Sequence, residues 1–300
     1  MSSPTLNPAW VVGFRRGLAL VLALSFIALW ADYDLLYGSQ ALVDHELLKH
    51  FYSPPYVALP IPLNSPAIQV GYLVFCAFVF SGYYVRVSSV FLLVLHGLIF
   101  LDHPYFSYGF DYLASSLLLY SAVLPTYAQP THTRPYLRCL QLHTCIIYFF
   151  AGACKAAGPT WYNGEALWKA LQQPGFVNPF REWLDGLGTL PALWVVAGWM
   201  VLVAELGYPL FIWWRQTRRL WLFGAIGMHI GIAVLLGLYA FSALMVVINL
   251  AAFHLPYRPF VLRTKQNSIP PMVGPFCAHL PGSEPLIGRS VTDTKKANNA

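Results

Sequence analysis

The chain has little charge: of its 300 residues, only 10% are Asp, Glu, Lys or Arg, whereas soluble domains carry roughly a quarter. So few charged side chains cannot cover the surface of a soluble domain of this length, which excludes that class. Hydrophobic residues make up 57% of the chain and aromatic residues 16%, and the mean hydropathy is +0.55. This composition is typical of an integral membrane protein with aromatic belts at its two interfaces.

The chain also has few cysteines and none of the common catalytic motifs. Most of its 5 cysteines fall in apolar segments and none forms a CxxC pair, which argues against a disulfide framework and a zinc site. HExxH, a phosphate-binding glycine loop and GxSxG are missing as well. We therefore expect no bound metal. Without an internal repeat or paired broken helices, a transporter is the less favoured function.

Apolar stretches follow one another along most of the chain. Crossing ~30 Å of hydrocarbon takes about 20 apolar residues in a helix, and backbone polar groups cannot stay unpaired in lipid. The sequence therefore predicts an all-α, polytopic transmembrane bundle of about eight spans. These lie at 13–31, 66–85, 87–102, 109–127, 138–157, 190–214, 219–238 and 240–257.

Basic residues predict the orientation, because Lys and Arg concentrate in cytoplasmic loops. With eight crossings, all the main basic clusters fall on one side, which places both termini in the cytoplasm. The clusters are Arg15 and Arg16, Arg86, Arg134 and Arg138, Arg215 to Arg219, and Arg258 to Lys265. Since topology accounts for the net charge of +6, we predict no nucleic-acid partner.

The pattern predicts one membrane domain, residues 1–258, with a retained signal anchor at 17–31 and a flexible cytoplasmic tail at 259–300. Two long outer loops are expected, at 32–66 and 158–189. The second contains an amphipathic piece around 161–183 that is suited to lie flat at the interface. The other connections are short enough to be tight turns.

Polar residues in the fifth span are the first candidates for a site. Gln141, Tyr148 and Lys155 are spaced by seven, which keeps them within roughly 40° on one helix face. A lysine inside a membrane is costly, so Lys155 is a candidate general base or anion ligand. The alternative is that its side chain snorkels to the outer interface.

Glu205 in the sixth span and His229 in the seventh are the next candidates, because antiparallel neighbours can bring them to similar depth. They would form a proton relay or quinone-facing pair, or else a structural hydrogen bond between helices. Asp111 lies near the predicted depth of Lys155, so an Asp111–Lys155 ion pair is a further possibility. Weaker candidates are His96, His143, Asn249 and His254.

A family resemblance enters at Tyr148-Phe-Phe-Ala-Gly-Ala-Cys-Lys155, followed by Trp161-Tyr-Asn-Gly164. This segment resembles the vitamin K-dependent gamma-glutamyl carboxylases and the wider HTTM (horizontally transferred transmembrane) family. Glu205-Leu-Gly-Tyr-Pro209 and Gly227-Met-His229 look like the same family's continuation. The resemblance covers about residues 10–257, and the bacterial members of the family suggest an inner-membrane location.

The resemblance implies a cofactor and a role for Lys155. In the carboxylases, the lysine that matches Lys155 is taken as the base that deprotonates vitamin K hydroquinone. A reduced quinone is therefore the expected cofactor, with Lys155, Asp111, His229 and Glu205 as catalytic candidates and Tyr148, Gln141 and Trp161 as cofactor contacts. Tyr108-Gly-Phe-Asp111 stands where the carboxylases have a histidine, and their large soluble domain has no counterpart here.

Two functions follow as hypotheses. The first is a membrane protein that binds a quinone or lipid-like molecule in an outward-facing pocket, with carboxylase- or epoxidase-like chemistry. The second is a non-catalytic accessory, immunity or scaffold protein that works with an exported peptide or protein partner. Membrane lipid is a partner in both.

Overall fold

A computed structural model describes residues 9–37, 65–101, 106–125, 130–173 and 180–257, and this part of the chain is helical, with no β-strand. The all-α prediction is therefore confirmed. The helices are α1 (Ala9–Leu29), α2 (Tyr33–Tyr37), α3 (Pro66–Ser81), α4 (Val85–His96), α5 (Gly109–Val123), α6 (Pro130–Ala156), α7 (Glu165–Leu171), α8 (Arg181–Leu187), α9 (Pro191–Phe211), α10 (Arg218–Leu236) and α11 (Tyr239–Phe253). A π-helix, Gly97–Leu101, continues α4, and 3-10 turns cover Pro159–Trp161 and Leu255–Tyr257.

Each of the eight predicted apolar stretches coincides with a helix. Five helical segments are long and apolar enough to cross a membrane: Ala9–Leu29, His132–Ala156, Pro191–Phe211, Arg218–Leu236 and Tyr239–Tyr257. The chain is thus compatible with a multi-pass membrane protein. The 16 residues of α3 rise only ~24 Å, less than the ~30 Å of hydrocarbon. The count of eight crossings, and with it the orientation, stays a prediction.

The helices pack around a single core in which α1 and α11 are central. Helix α1 lies against α3, α5 and α11, whereas α6 lies against α9 and α11. Helix α10 packs along α11 but meets α9 over a shorter stretch. The largest fully buried side chains are aromatic: Trp10, Tyr33, Tyr72, Tyr148 and Tyr208. Tyrosine hydroxyls buried in this way need hydrogen-bond partners, and they bring polar groups into the core.

Short turns connect α3 to α4 and α10 to α11, as predicted. Gly82 (φ 92°) ends α3 and Tyr84 (φ 42°) precedes α4. Gly237 (φ 68°) ends α10 two residues before α11 begins. The left-handed backbone at Gly82 and Gly237 favours glycine, which has no Cβ to clash.

The predicted outer loop at 158–189 contains the Pro159–Trp161 turn, α7 and α8. Most of the predicted loop at 32–66 and the predicted tail at 259–300 lie outside the described residues. We call the end of the bundle that carries α2, α7 and the α10–α11 turn the outer end. Lys155, in the last turn of α6, lies toward this end.

Candidate functional site

Lys155 forms an ion pair with Glu205. Its Nζ donates to Oε1 at 2.7 Å and to Oε2 at 2.8 Å, so both carboxylate oxygens are engaged. The Glu205 side chain is 7% exposed and the Lys155 side chain 26%. A carboxylate this deeply buried needs a cation, and Lys155 provides it while retaining partial contact with the surroundings.

Two features fix the geometry of this pair. A Cβ on Gly152 would lie 2.9 Å from Leu206 Cγ and 3.1 Å from Glu205 Cβ, so α6 and α9 approach closely because residue 152 is glycine. The Lys155 Nζ also lies 5.4 Å from the centre of the Trp161 ring. That separation suits a cation–π contact. Lys155 thus interacts with two groups, the Glu205 carboxylate and the Trp161 ring.

A second polar group lies two turns further into the bundle. Tyr148 Oη and His229 Nε2 are 2.9 Å apart, and Asn249 Nδ2 donates to Tyr148 Oη at 2.9 Å. Tyr208 donates to Asn249 Oδ1 at 2.5 Å, and its ring stacks on Tyr148 with a centroid distance of 4.0 Å. All four side chains are at least 97% buried. They form one connected network across α6, α9, α10 and α11, which we call the tyrosine network.

The direction of these hydrogen bonds can be assigned. Asn249 Nδ2 also donates to Met245 O at 2.8 Å, which fixes the amide orientation, since a carbonyl only accepts. Tyr148 Oη accepts from Asn249, so its own hydrogen is available for His229 Nε2. With Tyr148 as the donor to Nε2, the neutral imidazole carries its proton on Nδ1. Within the described residues this buried Nδ1 has no hydrogen-bond partner, so an N–H donor is left over beside Tyr148.

An apolar cleft of about 550 Å³ lies beside this network. Its walls come from α9 and α10, and Tyr148 of α6 also lines it. Several wall residues are largely exposed, including Met200 (67%) and Val203 (58%). In a membrane-embedded bundle such surfaces face lipid, so the cleft opens sideways toward the bilayer. The principal wall residues are Trp199, Met200, Val203, Trp221, Gly224 and Met228.

Both ends of the cleft are closed by packing. At its inner end the Trp221 ring stacks on Phe211 at 5.0 Å, and it lies so close to Gly207 that any Cβ there would clash. At its outer end Leu171 of α7 and Trp194 of α9 form a small cluster, joined by Leu235 of α10. Between these two contacts, α9 and α10 are separated by the cleft.

The remaining predicted residues lie elsewhere. Asp111 does not pair with Lys155: its Oδ1 is 3.7 Å from His96 Nε2, and its Oδ2 accepts from the Tyr108 backbone N–H at 2.9 Å. The alternative Asp111–Lys155 ion pair is therefore wrong, because the register of α6 and α9 places Glu205 beside Lys155. Nor do Glu205 and His229 bond directly, since each has a different partner.

Gln141 is fully buried toward the inner end, where its Nε2 donates to Ala252 O at 2.7 Å and to Tyr257 Oη at 3.1 Å. Its amide is thus used in joining α6 to α11. The structure adds Tyr208 to the site and gives Asn249, a weaker candidate from the sequence, a place at its centre. Tyr208 follows Glu205 by three residues, a spacing that places both on one helix face, and this signal would have identified it.

Metal ligands do not cluster in the described residues: no group of three or more His, Cys, Asp or Glu side chains could hold an ion there. Comparisons of the chain with protein-family models, curated proteins and solved structures give no match. The resemblance to the HTTM family therefore stays a hypothesis. The cleft and the two polar groups are the features of the molecule that bear on function.

Proposed function

We propose that this protein binds a lipophilic molecule with a polar ring, of the quinone class, in the cleft between α9 and α10. The observation that carries the proposal is the combination of a 550 Å³ apolar cavity with Tyr148 among its lining residues. Ligand sites are mostly apolar, with a few polar groups that orient the ligand. A lateral opening suits a molecule that reaches the site through the bilayer.

The polar groups available beside the cleft suit a quinone or quinol oxygen. Tyr148 lines the cleft, and His229, which is bonded to Tyr148 but does not itself line the cleft, has an Nδ1 without a partner among the described residues. Tyr148 Oη retains acceptor capacity beyond its bond from Asn249. A quinone oxygen accepts from the His229 Nδ1–H, and a quinol hydroxyl can donate to Tyr148 Oη. Tyr148 and His229 are therefore the residues that we propose exchange a proton with the bound ring.

Lys155 takes a different part in this proposal from the one that the family resemblance implies. In this geometry the Lys155 nitrogen donates to both Glu205 oxygens, at 2.7 and 2.8 Å, so it acts as a hydrogen-bond donor. It can serve as a general base only after passing a proton to Glu205. In the present geometry we propose that Lys155 stabilises negative charge electrostatically at the outer side of the tyrosine network.

The test is binding of a short-chain quinone to the purified protein, followed by quenching of tryptophan fluorescence, since Trp199 and Trp221 lie in the cleft wall. Gly224 offers a variant that fills the cleft: it lines the cavity, and a Cβ there meets nothing within 4 Å. We expect G224F to weaken binding at least tenfold by occupying the space the ring needs.

Gly231 provides the matched control. It lies on the same helix, a Cβ there also meets nothing within 4 Å, and it is not among the residues that line the cleft. G231F should bind as the wild type does. Equal weakening in both variants would place the quinone outside the cleft, and unsaturable quenching of the wild type would refute quinone binding altogether.

A second function, a non-catalytic accessory, immunity or scaffold protein, is favoured by one observation. The Lys155 amine donates to both Glu205 oxygens and lies 5.4 Å from the centre of the Trp161 ring, as in a structural ion pair. This reading expects a protein partner to co-purify in mild detergent while no quinone is extracted. Mass spectrometry of the purified material for both small molecules and peptides distinguishes the two functions.

A further inference from the structure

A second cavity, of about 370 Å³, lies at the outer end of the bundle and shares no lining residue with the cleft. The end of α1, helix α2, the start of α5 and the α10–α11 turn surround it. One carboxylate, that of Asp111, lines it together with many aromatic rings. We call it the outer cavity. Its principal aromatic residues are Phe26, Tyr37, Tyr72, Phe100, Phe106 and Tyr108.

These rings form a continuous wall. Phe26 stacks on Tyr72 with a centroid distance of 4.4 Å, and Tyr37 lies 5.6 Å from Phe100 and 5.9 Å from Phe106. The faces of aromatic rings carry negative electrostatic potential, and cages of such rings recognise alkylammonium groups. The wall therefore disfavours anions and favours organic cations.

The Asp111 carboxyl group adds a strong hydrogen-bond acceptor to this environment, one that pairs with a cation as a carboxylate. Asp111 is only 3% exposed, and no lysine or arginine among the described residues lies within 4 Å of its oxygens. The Nε2 of His96 is 3.7 Å from Asp111 Oδ1, too far for a hydrogen bond. His96 is fully buried, and this Nε2 has no hydrogen-bond partner among the described residues.

The two buried carboxyl groups, Glu205 and Asp111, differ in their hydrogen-bond partners. Both carboxylates are buried, but Glu205 has an ammonium on both oxygens, whereas Asp111 accepts from the backbone N–H of Tyr108. A buried carboxylate without a cation is costly. Aromatic walls and a buried acidic group with no lysine or arginine beside it among the described residues together suit a ligand that is cationic and partly apolar.

We propose that the outer cavity is a binding site for an organic ammonium group, held by Asp111 and the aromatic wall. An ammonium of this kind can belong to a lipid headgroup at the outer interface or to a free alkylammonium compound. The site is independent of quinone binding in the cleft, because the two cavities have separate walls.

The test uses the wild-type protein, so that folding of a variant is not in question. Saturation-transfer NMR would compare choline with 3,3-dimethylbutan-1-ol, which replaces the charged nitrogen with carbon at the same shape. We expect choline to bind and the neutral analogue to bind at least tenfold more weakly. Equal binding of the two compounds, or no choline binding, would overturn the proposal.

Two variants locate the site. D111N keeps the oxygen that accepts from Tyr108 and removes the charge, and we expect at least tenfold weaker choline binding. F106L removes one ring and should weaken binding roughly threefold to tenfold. G231F, at a position that lines neither cavity, is the control and should bind choline as the wild type does. Unchanged binding in both D111N and F106L would place choline elsewhere and refute the assignment.

The source of the ammonium is distinguished in nanodiscs. If the lipid headgroup occupies the outer cavity, choline binds more weakly in phosphatidylcholine discs than in phosphatidylglycerol discs. If a free compound is the ligand, choline binds equally in both. Both results support the ammonium site, whereas failure of choline to bind in either disc contradicts it.

Discussion

Replacing Lys155 with methionine leaves the Glu205 carboxylate buried without its cation. Replacing Glu205 with methionine leaves Lys155 without its anion, but the consequences differ because the two side chains are not equally buried. The Glu205 side chain is 7% exposed and that of Lys155 26%. Lys155 also lies in the last turn of α6, from which a long side chain can extend toward the interface.

These positions determine the expected magnitudes. K155M should lower the free energy of unfolding by about 3–5 kcal/mol, the usual cost of a buried charge that has lost its partner. E205M should lower it by about 1–2 kcal/mol, because the lysine regains water by snorkelling. The double variant replaces an ion pair with two apolar side chains of similar size, and its stability should fall within about 1 kcal/mol of the wild type.

The assay is reversible unfolding in mixed micelles with a rising fraction of sodium dodecyl sulfate, followed by circular dichroism for all four proteins. We expect the order of stability wild type, double variant, E205M, K155M. Two results would refute the reasoning: E205M less stable than K155M, or single-variant effects that simply add in the double variant. Additivity would mean that the two groups do not interact in the folded protein.

Three further predictions concern packing. N249L removes the centre of the tyrosine network and leaves Tyr208 Oη without its acceptor, so it should cost about 1–3 kcal/mol in the same unfolding assay. G164A should destabilise α7, because residue 164 has φ +82° and its Cβ would lie 2.6 Å from the Trp194 backbone. The loss of stability should appear as faster protease cleavage between α7 and α9. G186A is the control, since a Cβ at residue 186 meets nothing within 4 Å. G207V forces the Trp221 ring away from α9 and should open the inner end of the cleft. A cysteine placed at position 224 should then react faster with a membrane-permeant thiol reagent. An unchanged labelling rate would contradict the closed inner end.

Much of the fold follows from the sequence because long apolar stretches predict membrane helices. Each predicted span corresponds to a helix, although α6 begins at Pro130, eight residues before the predicted start at 138. Residues 130–137 are too polar for a hydrophobicity window to include, yet helical hydrogen bonding continues through them. Local apolar patterning reports the membrane-embedded part of a helix and not its full length.

The spacing of Gln141, Tyr148 and Lys155 also predicts that they share one inward-facing side of α6. Gln141 and Tyr148 are buried and Lys155 is partly buried, because residues seven apart share a helix face. The partner of Lys155 was not readable, since it depends on how far α6 and α9 are displaced along their axes. The close packing of Gly152 on Glu205 and Leu206 determines that displacement. These residues are more than 50 positions apart, so local sequence patterns do not reveal the contact.

The roles of Asp111 and Asn249 show the same limit. Asp111 lies at the depth expected of a partner for Lys155, but its neighbours come from α1, α2 and α4, which depth alone cannot reveal. Asn249 looked like a lone membrane amide, yet it contacts Tyr148 and Tyr208 from two other helices. Sequence gives the depth of a polar residue, and only the packing order of the helices gives its partners.

The central claim, a quinone-class ligand in the cleft between α9 and α10, is tested most directly by photo-crosslinking. A photoreactive quinone would be bound to the wild-type protein, irradiated, and the labelled residues identified by mass spectrometry. We predict labels within 195–204 or 220–228, which excess unlabelled quinone displaces and G224F abolishes while G231F does not. Labels confined to other helices, or labels in the cleft that neither competitor nor G224F reduces, would contradict the account.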